Sequence, residues 1–79
     1  MNQEIFKEVK NVIIENLGVE EERVIPEASL LDNLGADSLD LVELAMSLED
    51  QYGITIDDSE ISGLKTVADV VSYIEKNKK

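Results

Sequence analysis

Residues 35–40 read Gly-Ala-Asp-Ser-Leu-Asp, which places one serine, Ser38, between two acids, just after a glycine and just before an apolar periodic run. A serine hydroxyl becomes a strong nucleophile only beside a base that takes its proton. The chain has no histidine, and none of its seven lysines and arginines lies near Ser38 in sequence. The flanking acids, Asp37 and Asp40, oppose the build-up of further negative charge. An intrinsic hydrolase is therefore disfavoured, and a phosphate-binding loop is excluded because neither its glycines nor its lysine is present. Metal chemistry fares little better. Residues 32–43 have the twelve-residue span of a calcium loop with an acid at each end, but Leu34 and Ala36 stand where ligands are needed and Asp37 occupies the glycine position. What is left is a weak, non-specific divalent site among Asp32, Asp37 and Asp40. Two readings of Ser38 remain: an ordinary residue in the first turn of a helix, or a hydroxyl held out for another protein to modify. The free amides and dipole at a helix start suit an added phosphate group.

The elements that position Ser38 follow from composition and periodicity. With 79 residues, the chain is expected to form a single domain, 1–79. A domain of this size buries roughly 60% of its unfolded surface, so its stability margin is thin. Its 43% of hydrophobic residues still suffice for one core. The absence of cysteine removes disulfides and thiolate metal sites. Eighteen acidic against seven basic residues leave a net charge of −11, which argues against nucleic acid and anionic membranes as partners and for basic protein surfaces. The N-terminal residues are not a basic stretch followed by an apolar core, and no apolar run reaches the ~20 residues that span a bilayer. A cytoplasmic protein is expected.

Helical signals occur in four places. Ile5, Val9, Ile13 and Leu17 recur every four residues, widened by Phe6, Val12 and Ile14, and predict a helix over 3–17 that starts at Asn2 and stops at Gly18. Residues 19–37 form a long connection containing the sole proline, Pro26. Val24, Ile25, Leu30, Leu31 and Leu34 are expected to pin it to the core. A second helix is predicted over 38–52 with Asp37 as its cap. Residues 57–64 leave room for one short helical turn capped by Asp57 or Asp58. Ile54 and Ile56 alternate around Thr55, but two apolar positions are too few for a sheet, so this stretch reads as loop. The last helix begins at Thr66, where Thr66 and Asp69 have capping-box spacing and Val67, Val70, Val71 and Ile74 form an apolar stripe. Lys76, Lys78 and Lys79 suit its C-terminal end. The expected fold is all-α: a small four-helix bundle with three longer helices, one short helix and a long first loop.

The second helix carries more apolar residues than a core face needs. At ~100° per residue, Leu41, Leu44, Ala45, Leu48 and Tyr52 fall on one side and suffice for packing. Leu39, Val42 and Met46 fall elsewhere, interleaved with Glu43, Glu49 and Asp50, and Asp40 and Ser47 lie further round on the exposed face. Apolar residues ringed by charge of one sign describe a transient protein contact, in which the centre is desolvated and the rim steers. Methionine suits a surface that fits several partners.

Residues 34–56, LGADSLDLVELAMSLEDQYGITI, resemble the attachment region of acyl carrier proteins. Asp37-Ser38-Leu39 alone is a weak signal, but the preceding Leu-Gly and the following Asp40, Val42, Glu43 and Leu44 make it specific. The likeness extends to the chain length, the acidic balance, the long first loop and the TVADVVSYI ending over 66–74, and it is closest to the free-standing type of fatty-acid synthesis. The resemblance implies that Ser38 accepts 4′-phosphopantetheine from coenzyme A through a separate phosphopantetheinyl transferase, and that the thiol of this arm carries acyl chains as thioesters. A chain without cysteine can thus carry thioesters. It further implies that Asp37, Leu39, Asp40, Val42, Glu43, Met46, Glu49 and Asp50 meet basic patches on fatty acid synthesis enzymes, and that Leu48, Ile56, Leu64 and Val70 line an acyl pocket. The expected species is a monomer that catalyses nothing itself. Asp57, Ser59 and Gly63 depart from the family pattern and put the length of the third helix in question. A carrier for another acyl pathway, such as polyketide synthesis, and an unmodified acidic helical adaptor are the alternative readings.

Overall fold

The computed structural model describes residues 1–77, so Lys78 and Lys79 lie outside the described residues. Four α-helices are present, α1 (Gln3–Leu17), α2 (Ser38–Tyr52), α3 (Asp58–Ile61) and α4 (Val67–Asn77), with a 3₁₀ turn at Glu21–Arg23 in the long first connection. Local chemistry sets most of the boundaries. Asn2 caps α1 by accepting the amides of Glu4 and Ile5 through its side chain, and Gly18 ends it at φ 66°. Asp37 and Asp40 form a reciprocal capping box at the start of α2. Gly53, at φ 65°, closes α2 in the left-handed region that a Cβ disfavours. Thr66 and Asp69 exchange the same pair of bonds, each 3.1 Å, so Thr66 is the cap of α4 and the helix begins one residue later than expected. At α3 the Asp57 side chain makes no capping bond; the amides of Glu60 and Ile61 bond to the Asp57 carbonyl instead.

The core is a single cluster into which α1 and α4 each send an apolar stripe. Val9, Ile13, Val67, Val71 and Ile74 have no exposed surface, while α2 contributes Leu44, Ala45 and Leu48. α1 packs against both α2 and α4, and α3 packs chiefly against α2. The first connection is ordered by its own stitches rather than by every apolar residue it holds. Leu30 N–H donates to the Lys65 carbonyl, Val67 N–H to Ala28 and Ala68 N–H to Pro26, and Ser29 pairs with Thr66 as an isolated antiparallel bridge. This lacing buries Val24, Ala28, Leu30, Leu34 and Ala36. It turns Ile25 and Leu31 outward, 49% and 51% exposed, against the expectation that they anchor the loop. Ile54 and Ile56 lie in loop as expected, with Ile56 buried.

Ser47 also departs from expectation. It is half-buried, not exposed, because Asn16 of α1 donates its side-chain amide to the Ser47 hydroxyl at 3.3 Å. A polar pair at the seam between α1 and α2 keeps both groups bonded where the packing would otherwise strand them. Tyr52 finishes the core face of α2 half-buried, and its hydroxyl donates to Glu8 of α1. Burial and that bond push the phenol well above its ordinary range.

Candidate functional site

Ser38 occupies the first position of α2 and is exposed. Gly35, at φ 71°, turns the chain just ahead of it, and the Ala36 amide is fixed by a 2.9 Å bond to the Leu30 carbonyl. Ala36 is buried, so the backbone two residues before the serine is anchored in the core. Asp37 Oδ1 then accepts the Asp40 amide at 2.9 Å, and Asp40 Oδ2 accepts the Asp37 amide at 3.2 Å. The hydroxyl is thereby presented at a helix start fixed by a capping box and a buried residue. Among the described residues, no side chain bonds to Ser38 Oγ and no base stands beside it. The Ser38 and Leu39 amides likewise have no partner among the described residues.

The carboxylates near Ser38 do not gather around a common point. Asp37 and Asp40 are turned onto each other's backbone amides, and Asp32 is exposed on the loop. Among the described residues no three acids converge to hold a metal ion, Asp32, Asp37 and Asp40 included.

One face of α2 carries the exposed apolar residues that periodicity singled out: Leu39, Val42 and Met46 are 65%, 40% and 58% exposed. Glu43 and Asp50 are exposed beside them, whereas Asp40 and Glu49 are half-buried. Glu49 has a second task that spacing could not reveal, since its Oε2 accepts the Ile56 amide at 2.7 Å. The sequence from Val24 to Leu64 holds ten acids and no base, so nothing in this half of the chain neutralises the face. Lys10–Glu21, at 3.2 Å, is the one ion pair among the described residues and joins α1 to the 3₁₀ turn rather than to α2.

Ser38 borders one apolar space, which shares walls with a second. An open groove of about 410 Å³ runs from the serine between Leu31, Leu41, Val42, Asp58, Ile61 and Ser62. Behind it lies a cavity of only about 10 Å³, with Leu48, Leu64 and Val70 in its walls together with Leu30, Leu41, Leu44, Ala45 and Ile61. Three of the four residues expected to line an acyl pocket are there. Ile56 is buried but lines no part of the cavity. Leu41 and Ile61 border both spaces; periodicity assigns Leu41 to the core face of α2, and Ile61 was missed because α3 is too short to reveal a face.

In this small helical domain α2 opens on an exposed serine that borders an apolar groove, and apolar residues and acids share the exposed face of the same helix. The family described as the phosphopantetheine attachment site matches residues 7–74 of this chain. The chain is also 54% identical over 74 residues to the acyl carrier protein of Thermotoga maritima, covering 94% of this chain and 91% of that protein. The chain belongs to the acyl carrier protein family.

Proposed function

We propose that this chain carries acyl groups as thioesters on a 4′-phosphopantetheine arm joined to Ser38 Oγ, and presents them to the enzymes of fatty acid synthesis. The observation that supports this most is an exposed hydroxyl at the capped start of α2, bordering an open apolar groove. In the loading step Ser38 Oγ attacks the β-phosphate of coenzyme A, a phosphodiester forms, and the pyrophosphate bond breaks to release 3′,5′-ADP. The hydroxyl proton must leave to a base on the transferase, since this chain offers none at the site. The free amides of Ser38 and Leu39 face the start of the helix, where an added phosphodiester is favoured by the dipole. That attraction works against the charges of Asp37 and Asp40.

The docking surface on this reading is the exposed set Leu39, Val42 and Met46 with Asp37, Glu43 and Asp50 around it, and Asp40 and Glu49 at its half-buried edge. Phosphopantetheinyl transferase and the synthesis enzymes would meet it through basic patches, because the face holds no cation of its own. The acyl chain would pass from the groove towards the cavity walled by Leu48, Leu64 and Val70. The chain is read as a single-domain, monomeric and cytoplasmic carrier that catalyses nothing itself. No helix among the described residues is long and apolar enough to cross a membrane.

Intact mass before and after incubation with coenzyme A and a broad-specificity phosphopantetheinyl transferase tests the assignment, with Ser38→Ala alongside. One phosphopantetheine is expected on the wild type and none on the variant. A folded wild-type protein that gains nothing beside an active control would move the reading to an unmodified acidic adaptor.

A further inference from the structure

Sulfur is scarce in this chain, which has no cysteine and two methionines, Met1 and Met46. Among the described residues the buried core consists of isoleucine, valine, leucine and alanine, so neither sulfur is spent on packing. Met1 is 56% exposed at the chain end, and Met46 is 58% exposed on α2. A thioether left in water to this degree is open to oxidation, and the product is a polar sulfoxide.

The surroundings of Met46 give that change a consequence that Met1 lacks. On a helix surface the residues three and four positions away are the neighbours. For Met46 these are Val42 and Glu43 on one side and Glu49 and Asp50 on the other. Val42 and Leu39 continue the exposed apolar stripe from Met46 towards Ser38. Met46 is thus the end of that stripe, beside three acids. The sequence from Val24 to Leu64 supplies no base to offset them. Their field holds off anionic oxidants and leaves a neutral peroxide free to approach the sulfur.

We propose that Met46 is an oxidation site through which hydrogen peroxide weakens docking on α2. The Met46 sulfur attacks one oxygen of the peroxide, an S–O bond forms and the O–O bond breaks. The hydroxyl delivered to sulfur gives its proton to the departing hydroxide, which leaves as water. Sulfur is oxidised by two electrons and the peroxide is reduced by the same two. The added oxygen is hydrated while α2 stands free, so the fold is not disturbed. It loses that hydration when a partner covers the face. This role rests on the docking face that the carrier reading gives α2. Reduction of the sulfoxide removes the oxygen and restores the apolar stripe.

Transfer of phosphopantetheine to the full-length chain, at varied carrier concentration, reads docking in KM and chemistry in kcat. Hydrogen peroxide should add two oxygens to the wild type and one to Met46→Leu by intact mass. Each oxidised protein is compared with its own untreated sample. KM for the oxidised wild type should rise about tenfold, the scale of one polar group desolvated without a partner, with kcat and melting temperature unchanged. Methionine sulfoxide reductases of both stereochemical types should return KM to its untreated value. KM for oxidised Met46→Leu should not move, which removes Met1 as the source. An unchanged KM in the oxidised wild type, an equal rise in Met46→Leu, or a lowered melting temperature in the oxidised wild type would overturn the proposal. Titration of the same samples with a basic amphipathic helical peptide of leucine and lysine reads the face without any transfer. An untreated wild type that gains no arm removes the carrier reading, and the peptide then decides the oxidation site by itself: binding about tenfold weaker in the oxidised wild type alone upholds it, and unchanged binding removes it.

Discussion

α2 and α4 begin with the same device and end in different places. Each opens on a reciprocal capping box, Asp37 with Asp40 and Thr66 with Asp69. From there α4 spends its whole stripe on the interior: Val67, Val70, Val71 and Ile74 are at most 1% exposed. α2 buries Leu44, Ala45 and Leu48 and still leaves Leu39, Val42 and Met46 at the surface among acids. In a domain this small, apolar surface that does not serve the core is costly to leave in water unless something else covers it part of the time. α4 therefore reads as a helix for holding the fold, and α2 as one that holds the fold with one face and meets partners with the other.

The strongest way to break this division is truncation on both sides of it. Ile74→Ala should destabilise the domain by about 2–5 kcal/mol, a large share of the ~4–12 kcal/mol expected for 79 residues. Met46→Ala should change stability by less than ~0.5 kcal/mol and weaken binding to a basic partner enzyme. Urea unfolding with a binding titration checks both. A Met46→Ala protein as unstable as Ile74→Ala would mean that α2 has no spare face.

The caps give a closer comparison of smaller size. Asp37→Ala and Thr66→Ala should each cost about 1 kcal/mol, since each loses one side of a capping box. Only Asp37→Ala should also slow transfer of phosphopantetheine to Ser38, because it loosens the backbone that presents the hydroxyl. Equal transfer rates in both variants would mean that the transferase does not rely on the capped helix start.

These boundaries were legible because each is made within four residues: Asn2 to Ile5, Asp37 to Asp40, Thr66 to Asp69, and the glycine at 18. The surplus stripe of α2 was legible because periodicity alone separates two faces of a helix. What sequence could not show depends on contacts far apart in the chain. Ile25 and Leu31 look like anchors, and only the lacing of the first connection onto residues 65–68 turns them out and draws Ala28 and Ala36 in. Ser47 looks exposed until Asn16 reaches it from another helix. Glu49 looks like one more acid on a solvated face until its carboxylate is found on the Ile56 amide.

Charge should separate the helices at lower energy still. Glu43→Lys places a base on the uncompensated face of α2 and should slow association with a basic enzyme several-fold at low ionic strength, with the difference shrinking as salt rises. It should leave stability unchanged or raise it by a few tenths of a kcal/mol, because it relieves like-charge repulsion. Stopped-flow association across a salt series reads the first effect and thermal melting the second. An association rate that ignores both the substitution and the salt would remove the acidic face from recognition.

The smallest effect belongs to Tyr73, whose hydroxyl bonds from α4 to Glu60 of α3. Tyr73 has its phenol pushed up to about 12, first by the bond to Glu60 and then by burial and nearby carboxylates. An unfolded tyrosine titrates near 10. Between about pH 10 and 12 the unfolded chain therefore gives up a proton that the folded chain keeps, and stability must fall as pH rises through that window. Below pH 10 both states keep the proton, so the stabilisation is fully present. Tyr73→Phe lacks the titrating group, and its melting temperature should decline less steeply than the wild type's between pH 10 and 12. Lysines also titrate in this range, but they do so in both proteins and cancel in the difference. Parallel melting curves would mean that the Tyr73 hydroxyl is not held by Glu60 in solution, and α4 would then be a helix whose contacts all face inward.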